Sequence, residues 1–354
     1  MSVITTEIVL PARVAPDGLL VTQRELSAPG PGQALLTVEA SGVSFAEQQM
    51  RRGKYYDQPA FPFVPGYDLV GTVAAVGAEV DPALIGRRVA ALTKIGGWTS
   101  HALLDVADLV PVPAPLDAAE AETFVVNGIT AWQMLFRTAK VRPGQTVLVH
   151  GANGGVGSTL VQLARANGIR VIGTASARHA DAVSALGASW IDYRGDVPQQ
   201  VRALAPEGVD AVFDHIGGPG IKDSFALLAP HGTLVSYGTA ATKNEEGNSR
   251  LPVLKLLARL MLWNALPNRR NAHFFNLWAG KRNLARFRDR ITEDLTAVFD
   301  LAARGALHAQ IAARVPLTEA ARAMQLAESG TVVGKVVLVA DAPAVNQPLF
   351  QGEL

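Results

Sequence analysis

The sequence predicts an α/β fold in which a β-rich first unit precedes a doubly wound parallel sheet. The first observation is an apolar run at residues 147–149 that ends in a glycine cluster at residues 151–157 and continues at helical spacing. The second is that strand-like segments follow at the spacing of strand–helix–strand units. The third is the length of 354 residues, which exceeds one typical core and suits two domains.

The glycine cluster has the pattern of a turn that binds a phosphate at the start of a helix. The first N–H groups of that helix, with the positive end of its dipole, face the phosphate. Gly154 allows a pyrophosphate to come close and Gly157 allows the helix to pack on the strand, while Ala152 occupies the tight-turn position. Other α/β proteins have glycine-rich turns, so the neighbouring strands carry the prediction. The predicted cofactor contacts of the turn are Asn153, Gly154, Gly155, Val156 and Gly157.

Two sets of strands are predicted on either side of a helix. Asp117 and Glu120 form a capping box that opens this helix, which leads toward the glycine turn. The strands of the first, largely antiparallel unit are predicted at residues 7–10, 33–39, 69–76 and 88–92. The strands that follow the turn are predicted at residues 169–174, 190–192, 209–214 and, after a helix at 225–228, 233–237.

A last strand at residues 334–339 implies that the chain returns to its first unit. We therefore expect one domain to comprise residues 1–123 and 303–354 and the other to comprise residues 124–302. The residues from Asp341 onward are expected to form a loose tail.

Composition excludes several classes of function. The chain has 32 Lys and Arg against 31 Asp and Glu, so its overall charge gives no reason to expect nucleic acid as a partner. It has no cysteine, which excludes disulfides, thiol catalysis and cysteine-ligated metals. We expect a cytoplasmic protein, because residues 1–7 lack the pattern of a signal peptide and no apolar run is long enough to span a bilayer.

Residues 243–290 form a basic and partly apolar insertion, with eleven Lys and Arg against three acidic residues. Within it, residues 251–263 are strongly apolar. A basic amphipathic helix on a membrane surface is one interpretation. The other, which we favour because the whole chain has almost no net charge, is a lid or subunit-contact helix with a solvated basic face.

Five segments taken together resemble the medium-chain dehydrogenase/reductase superfamily, specifically its zinc-free quinone oxidoreductase branch and the VAT-1-like subgroup. The segments that carry the resemblance are Pro65–Gly77, Asn127–Ala131, His150–Gly157, Ile191–Tyr193 and Val333–Leu338. They span nearly the whole chain in order. The resemblance implies a GroES-like catalytic domain, a Rossmann domain, a cleft between them and a homodimer.

The resemblance also implies that no catalytic metal is bound. Zinc-dependent relatives have Gly-His-Glu where this chain has Gly66-Tyr67-Asp68, and they have cysteine ligands that this chain lacks. Without a Lewis acid, an alkoxide is not stabilised, so alcohol oxidation is disfavoured. Hydride addition to a quinone or to an activated C=C bond remains feasible, because such acceptors delocalise their own charge.

The expected cofactor is NADPH. The predicted second strand after the turn is not followed by the Asp or Glu that binds the ribose of NAD. Relatives surround the 2′-phosphate of NADPH with a serine, a lysine and a tyrosine, which here correspond to Ser176, His179 and Tyr193. We predict that Arg178, beside His179, takes the role of the lysine. The alternative is that Arg178 and His179 only begin a solvated helix.

The resemblance assigns further site residues. Asn127 and Thr130 are expected to contact the nicotinamide, and Tyr237 and Gly238 are expected to contact its ribose. The wall of the cleft is expected to include Tyr56, Phe274 and Phe275. Ser44 and Glu47 replace the Asn and Asp of relatives, so their polar contacts are altered. Tyr55, Tyr56 and Tyr67 are the candidate proton donors, and Ser44 is a further candidate catalytic residue; the alternatives are core aromatic residues and a solvent proton.

Two hypotheses therefore stand. The first is an NADPH-dependent, metal-free reductase that transfers hydride to a quinone or to the C=C bond of an α,β-unsaturated carbonyl. The second is a non-redox nucleotide-binding protein that uses the 243–290 insertion to bind a lipid-like or polyketide-like ligand or a membrane surface.

Overall fold

The computed structural model describes residues 2–238, 240 and 250–341, and of residues 250–252 it describes the backbone only. The predicted tail after Asp341 and residues 243–249 of the insertion lie outside the described residues. Within the described ranges the chain forms a seven-stranded sheet, a six-stranded parallel sheet and a two-stranded sheet, with helices between them. The predicted α/β fold is confirmed.

The first third of the chain is built from short strands. They are β1 (Val3–Val9), β2 (Leu20–Leu26), β3 (Gln33–Val43), β4 (Asp68–Val76), β5 (Arg88–Leu92), β6 (His101–Asp105) and β7 (Val110–Pro111), with α1 (Phe45–Arg51) after β3. β3 pairs antiparallel with β4 and β6, and β4 pairs antiparallel with β5. Four of these strands were predicted. β2 was missed because its residues are mostly exposed and give no buried apolar alternation.

The long helix α2 (Ala118–Trp132) lies between the two large sheets. The predicted capping box is confirmed: Glu120 N–H donates to Asp117 Oδ1 at 2.8 Å, and Asp117 N–H donates to Glu120 Oε2 at 3.0 Å. Phe124 and Ile129 are fully buried, and the helix continues as a π-turn at Gln133–Thr138. α2 thereby carries its polar residues to the boundary between the sheets.

The second large sheet is parallel throughout. Its strands are β8 (Thr146–Val149), β9 (Arg170–Ala175), β10 (Ser189–Asp192), β11 (Val209–Asp214), β12 (Leu228–Ser236) and β13 (Asn271–Phe274), and its helices are α3 (Gly155–Ala166), α4 (Ala180–Ala185), α5 (Val197–Leu204) and α6 (Ile221–Ala226). The spatial order β10-β9-β8-β11-β12-β13 reverses between β8 and β11, where such folds bind ligands. The helix predicted at residues 225–228 ends earlier, because Leu228 already pairs with Val209 in the sheet.

Helix α7 (Arg250–Ala265) packs on this sheet through Leu256 and Leu260. Its exposed side is different from the solvated basic face that the sequence indicated. Leu254, Met261 and Leu262 are 60%, 69% and 58% exposed, so the outer side of α7 is largely apolar. We call these three residues the α7 outer face.

α7 also covers part of the sheet edge. The side chain of Asn264 donates to Ala272 O and accepts from Ala272 N–H, both at 2.8 Å. Ala272 belongs to β13, the last strand of the sheet. The amide of Asn264 therefore satisfies backbone groups that a further strand would otherwise pair with.

The chain then returns to the first sheet. α8 (Leu284–Ala303) is followed by β14 (Ile311–Pro316), α9 (Ala320–Glu328) and β15 (Lys335–Val339), and β15 pairs antiparallel with β3. Just before β15, Gly334 N–H donates to Asn153 O at 2.9 Å, which links the glycine turn to the first sheet. None of the helices in the described residues combines the length and apolar character needed to cross a bilayer.

Candidate active site

A cavity of about 470 Å³ lies where α2, the glycine turn and the first sheet meet. It brings together all of the predicted site residues except three. Those that line it are Ser44, Tyr55, Tyr56, Tyr67, Asn127, Thr130, Asn153, Gly154, Gly155, Val156, Gly157, Tyr237, Gly238, Phe274 and Phe275. Ser176, Arg178 and Tyr193 do not line it. A separate cavity of about 630 Å³ at Arg137 and Arg290 contains none of the predicted site residues.

The glycine turn has distinct requirements at three positions. Gly151 has a φ of +64°, so the left-handed residue of the turn lies one position before Ala152, and a Cβ there would also meet the ring of His215. A Cβ on Gly157 would lie 2.2 Å from Gly151 O, which explains the close packing of α3 on the turn. A Cβ on Gly154 would meet only Gly151 O, at 3.4 Å, so the protein leaves space there.

α3 begins directly after Gly154, which is its N-cap residue. The N–H of Gly154 itself is used within the turn, where it donates to Gly151 O at 3.0 Å. The N–H groups of the first helical residues after it have no acceptor within the helix, as in any α-helix. Gly155, Val156 and Gly157 therefore present the N–H groups that suit a phosphate.

Asn127 and Thr130 lie one turn apart on α2 and are both mostly buried. A Cβ on Gly155 would lie 2.6 Å from Asn127 Nδ2, so glycine at that position allows the Asn127 amide to lie against the start of α3. The polar groups of α2 and the N-terminus of α3 thus face the same part of the cavity.

Three tyrosines and two phenylalanines form the other end of the cavity. The hydroxyls of Tyr55 and Tyr67 are 2.8 Å apart, and Trp278 Nε1 donates to the Tyr67 hydroxyl. Burial raises the pKa of Tyr55 and of Tyr67 above the usual value for tyrosine, so both hydroxyls keep their protons. The rings of Tyr56 and Phe274 meet edge to face with their centroids 6.3 Å apart.

Ser44 and Glu47 begin α1 as a second capping box. Glu47 Oε2 accepts from Ser44 N–H at 2.9 Å and contacts the Ser44 hydroxyl, while Glu47 Oε1 accepts from Tyr67 N–H at 2.7 Å. Glu47 is 1% exposed. Burial raises its pKa, and the charge of Asp68 raises it further, against the opposing effects of Ser44 and Lys335.

A buried ionic cluster lies beside this pair. Lys335 Nζ donates to Asp68 Oδ2 at 2.8 Å and to Glu122 Oε1 at 2.6 Å. Burial alone would lower the pKa of Lys335, but the two carboxylates raise it. The same burial, with the charge of Asp68, raises the pKa of Glu122. Lys335 lines the cavity, although no sequence pattern had assigned a site role to it or to Glu122.

The three predicted residues outside the cavity follow the carboxyl ends of β9 and β10. Ser176 is buried, Arg178 is exposed and the Tyr193 ring is 50% exposed. Tyr193 N–H donates to Ala175 O at 3.4 Å, which brings the two strand ends together. His179 is buried, and its Nε2 has no partner among the described residues. Two exposed guanidinium groups lie at this corner: that of Arg178, which follows β9, and that of Arg194, which lies over the Tyr193 ring at 5.3 Å from its centroid.

These features define a two-domain dinucleotide-binding protein with a cleft between its domains, and comparison with known proteins agrees. Residues 186–338 match a family model described as zinc-binding dehydrogenase, and residues 30–114 match the GroES-like domain of alcohol dehydrogenase. No group of three or more His, Cys, Asp and Glu residues within the described ranges is arranged to hold a metal ion.

Several curated relatives match over most of the chain. The synaptic vesicle membrane protein VAT-1 homolog of Danio rerio is 32% identical over 321 residues, which are 88% of this chain and 64% of that protein. The chain thus spans less than two thirds of that relative. The 2-haloacrylate reductase of a Burkholderia species is 31% identical over 338 residues, which are 92% of this chain and 96% of the reductase.

Solved structures give the same result. A mycobacterial protein complexed with NADPH is 28% identical with a TM-score of 0.79, over 95% of this chain and 99% of that chain. Escherichia coli quinone oxidoreductase complexed with NADPH is 25% identical with a TM-score of 0.81, over 94% of this chain and 99% of that chain. The chain belongs to the medium-chain dehydrogenase/reductase superfamily, in the VAT-1-like part of its quinone oxidoreductase branch, as its motifs predicted.

Proposed function

We propose that the chain is an NADPH-dependent reductase that adds hydride to a quinone or to the C=C bond of an α,β-unsaturated carbonyl. The observation that carries this proposal is the cavity that extends from the N-terminus of α3 to Tyr55, Tyr56 and Tyr67. It has space for a pyrophosphate at one end and for a flat acceptor at the other. Holding the reactants close together and away from water supplies much of the rate.

The described residues fit a dinucleotide. The space at Gly154, the N–H groups that follow it and the amide of Asn127 are suited to the pyrophosphate and nicotinamide halves. Exposed Arg178 and the neighbouring Ser176 are suited to a 2′-phosphate, because a guanidinium binds phosphate oxygens in pairs. When bound, NADPH supplies the hydride. The similar structures that contain NADPH support this choice of cofactor.

The substrate class is supported by the cavity wall and by the relatives. Tyr56, Phe274 and Phe275 offer aromatic surface to a flat, conjugated acceptor. One relative is named a reductase of 2-haloacrylate, which contains a C=C bond beside a carboxyl group, and one similar structure is named a quinone oxidoreductase. Both substrates delocalise the negative charge that hydride addition creates.

We also propose that the reaction needs no zinc. Tyr67 stands where zinc-dependent relatives have histidine, and the carboxylate of the following Asp68 is engaged by Lys335 and by Val126 N–H. The sequence contains no cysteine. The donor set therefore does not fit the zinc site of alcohol dehydrogenases.

The direct test follows NADPH oxidation with 1,2-naphthoquinone, small enones and 2-chloroacrylate. We expect turnover on at least one of these acceptors, a preference for NADPH over NADH, and no loss of rate after treatment with a chelator. Turnover that disappears with the chelator and returns with zinc would contradict the metal-free mechanism. Failure of all three acceptors would contradict the reductase.

A second candidate function is supported by the α7 outer face. Leu254, Met261 and Leu262 are exposed beside exposed Lys255, which suits a lipid-like ligand or an anionic membrane. Co-sedimentation with vesicles that contain phosphatidylserine tests this function. The control is Leu204→Asn, because Leu204 is 51% exposed but lies on α5, outside the α7 outer face. Vesicle binding that falls with salt and with Leu262→Asn, but not with Leu204→Asn, would favour this function. No co-sedimentation would exclude the membrane role.

We further propose that residues 1–123 and 303–354 form one domain and that residues 124–302 form the other. The boundary at residue 123 falls within α2, which contacts both domains.

We also propose that the protein is a homodimer. As the alternative to the membrane role, the α7 outer face is the proposed contact between protomers, because it is apolar and exposed, whereas Asn264 already occupies edge groups of β13. Light scattering should give twice the chain mass, and Leu262→Glu should give the monomer mass.

A further inference from the structure

Glu47 is not placed like an ordinary capping-box carboxylate. Glu47 of α1 and Glu120 of α2 hold the same position in their capping boxes. Glu120 remains partly exposed, whereas Glu47 is 1% exposed and contacts Ser44, which lines the cavity. A cap can remain charged at the surface, but a buried carboxyl group must be compensated or neutral.

The contacts of Glu47 lead to the cavity through one hydroxyl. Its Oε1 accepts from Tyr67 N–H, while its Oε2 accepts from Ser44 N–H and contacts Ser44 Oγ. Ser44 Oγ also accepts from Ala46 N–H at 3.1 Å. When Glu47 is a carboxylate, Ser44 Oγ donates to Oε2. A proton on Oε2 reverses this hydrogen bond, so that Ser44 Oγ accepts it and the Ser44 proton can be directed into the cavity.

The charges around Glu47 favour a bound proton. The three groups that donate to Glu47 are all uncharged, namely the Tyr67 N–H, the Ser44 N–H and the Ser44 hydroxyl, whereas Asp68 adds a negative charge. Lys335 is hydrogen-bonded to Asp68 and Glu122, so three carboxyl groups share the influence of one ammonium group. Burial, followed by the repulsion from Asp68, raises the pKa of Glu47 despite Ser44 and Lys335.

On the basis of the reductase function proposed above, we propose that the Ser44 hydroxyl protonates the reduced substrate. Glu47 acts through Ser44 as a positioning residue, and its proton replaces the one that Ser44 gives up. After hydride addition the substrate is an enolate or a hydroquinone monoanion. Its oxygen bonds to the Ser44 proton as the Oγ–H bond breaks, and Oγ takes the proton of Glu47, which becomes a carboxylate. Both electrons arrive with the hydride, and after product release Glu47 takes up one proton from the solvent, so that each turnover consumes one solvent proton.

The tyrosines are less suited to this step. The hydroxyls of Tyr55 and Tyr67 hydrogen-bond to each other, and Trp278 Nε1 already donates to Tyr67. Burial raises their pKa further above that of a carboxyl group, which makes them weaker acids. Ser44 has the advantage that the acid behind it is a carboxyl group.

The experiment compares the wild type with Ser44→Ala, Glu47→Gln and the double variant, and uses Glu120→Gln as the matched control. General acid catalysis contributes at least about 10²-fold, so we expect kcat to fall by about that factor in each single variant, with little change in KM. The double variant should lose no more than either single variant, because both act in one step. In the wild type kcat should fall as the pH rises through the pKa of Glu47, and this decrease should be absent in Glu47→Gln.

A second readout needs neither cofactor nor substrate. Infrared spectra of the ligand-free protein should show a carboxylic acid band at neutral pH that Glu47→Gln removes and Glu120→Gln retains. Thermal unfolding identifies any variant that fails to fold. The pH profile and the infrared pH titration of the wild type can be measured even if a variant does not fold.

The possible outcomes separate the two proposals. Wild-type turnover with unchanged kcat in Ser44→Ala and Glu47→Gln overturns the proton path and leaves the reductase standing. An infrared spectrum in which Glu47→Gln removes no acid band also overturns it. If the wild type reduces none of the acceptors, the reductase fails, and the infrared titration alone decides whether Glu47 stores a proton.

Discussion

The side-chain amide of Asn127 lies against Gly155, so closely that a Cβ on Gly155 would be 2.6 Å from Asn127 Nδ2. This contact joins the helix that crosses between the two sheets to the helix that starts at the glycine turn. Alanine at residue 155 would move the Asn127 amide or the start of α3. The geometry of the candidate cofactor site thus depends on α2 as much as on the turn itself.

Gly154→Ala and Gly157→Ala should separate cofactor binding from folding. A Cβ on Gly154 meets only Gly151 O at 3.4 Å, so this variant should keep its stability but bind NADPH about tenfold or more weakly, because the methyl group occupies phosphate space. A Cβ on Gly157 lies 2.2 Å from Gly151 O, so that variant should lose about 1–3 kcal/mol of unfolding free energy. Urea unfolding and fluorescence titration with NADPH measure the two effects. If both variants lost the same NADPH affinity and the same unfolding free energy, the different roles assigned to Gly154 and Gly157 would be contradicted.

Arg178→Ala should reduce the preference for NADPH over NADH. Losing a charge-assisted hydrogen bond costs about 1.5–3 kcal/mol, which corresponds to about 10- to 100-fold in kcat/KM for NADPH, while the value for NADH should hardly change. Arg170→Ala, an exposed arginine at the opposite end of β9, is the control. An unchanged preference in Arg178→Ala would leave Arg178 as a solvated surface residue.

Tyr55→Phe and Tyr67→Phe test the tyrosines as proton donors. If the proton comes through Ser44, each variant should keep kcat within about fivefold of the wild type, well below the 10²-fold that general acid catalysis contributes. Tyr67→Phe should nevertheless lose about 1–3 kcal/mol of stability, because Trp278 Nε1 loses its acceptor. A 10²-fold fall in kcat for Tyr55→Phe alone would identify Tyr55 as the donor.

Lys335→Met should destabilise the protein strongly and in a pH-dependent way. Removing one partner of a buried ion pair costs about 3–5 kcal/mol, since Asp68 and Glu122 stay buried without a cation. Folding raises the pKa of Glu122, and a protein with such a group becomes less stable as the pH rises. The loss of unfolding free energy in Lys335→Met should therefore be larger at neutral pH than in mild acid. Lys94→Met, which breaks the exposed pair with Asp57, should cost less than about 1 kcal/mol. Denaturant unfolding at two pH values provides the comparison.

Local patterns were sufficient to predict the elements that depend on neighbouring residues. The glycine turn, the Asp117–Glu120 capping box and the buried parallel strands each follow from the residue types within a few positions. The backbone conformation of the glycine turn was harder to predict. The motif places Ala152 at its tight-turn position, whereas the residue with a positive φ is Gly151.

Clusters formed across long sequence distances could not be read from the chain. Lys335 meets Asp68 and Glu122 only because β15 pairs with β3. The sequence predicted that the last strand returns to the first unit, but not which strand it pairs with. Likewise, the burial of Glu47 depends on the residues around Tyr67. The outer side of α7 was misjudged for a related reason, because its apolar residues divide between a buried and an exposed side.

The position of Lys335 has a consequence for the order in which the protein is made. Asp68 lies 267 residues before Lys335 and Glu122 lies 213 residues before it, so a ribosome completes both carboxyl groups long before their cation. Until β15 emerges and pairs with β3, the first sheet lacks both a strand and the charge that lets these carboxylates be buried. We expect nascent chains that stop before residue 335 to remain sensitive to protease in the first unit, and the sensitivity to disappear once β15 has been added.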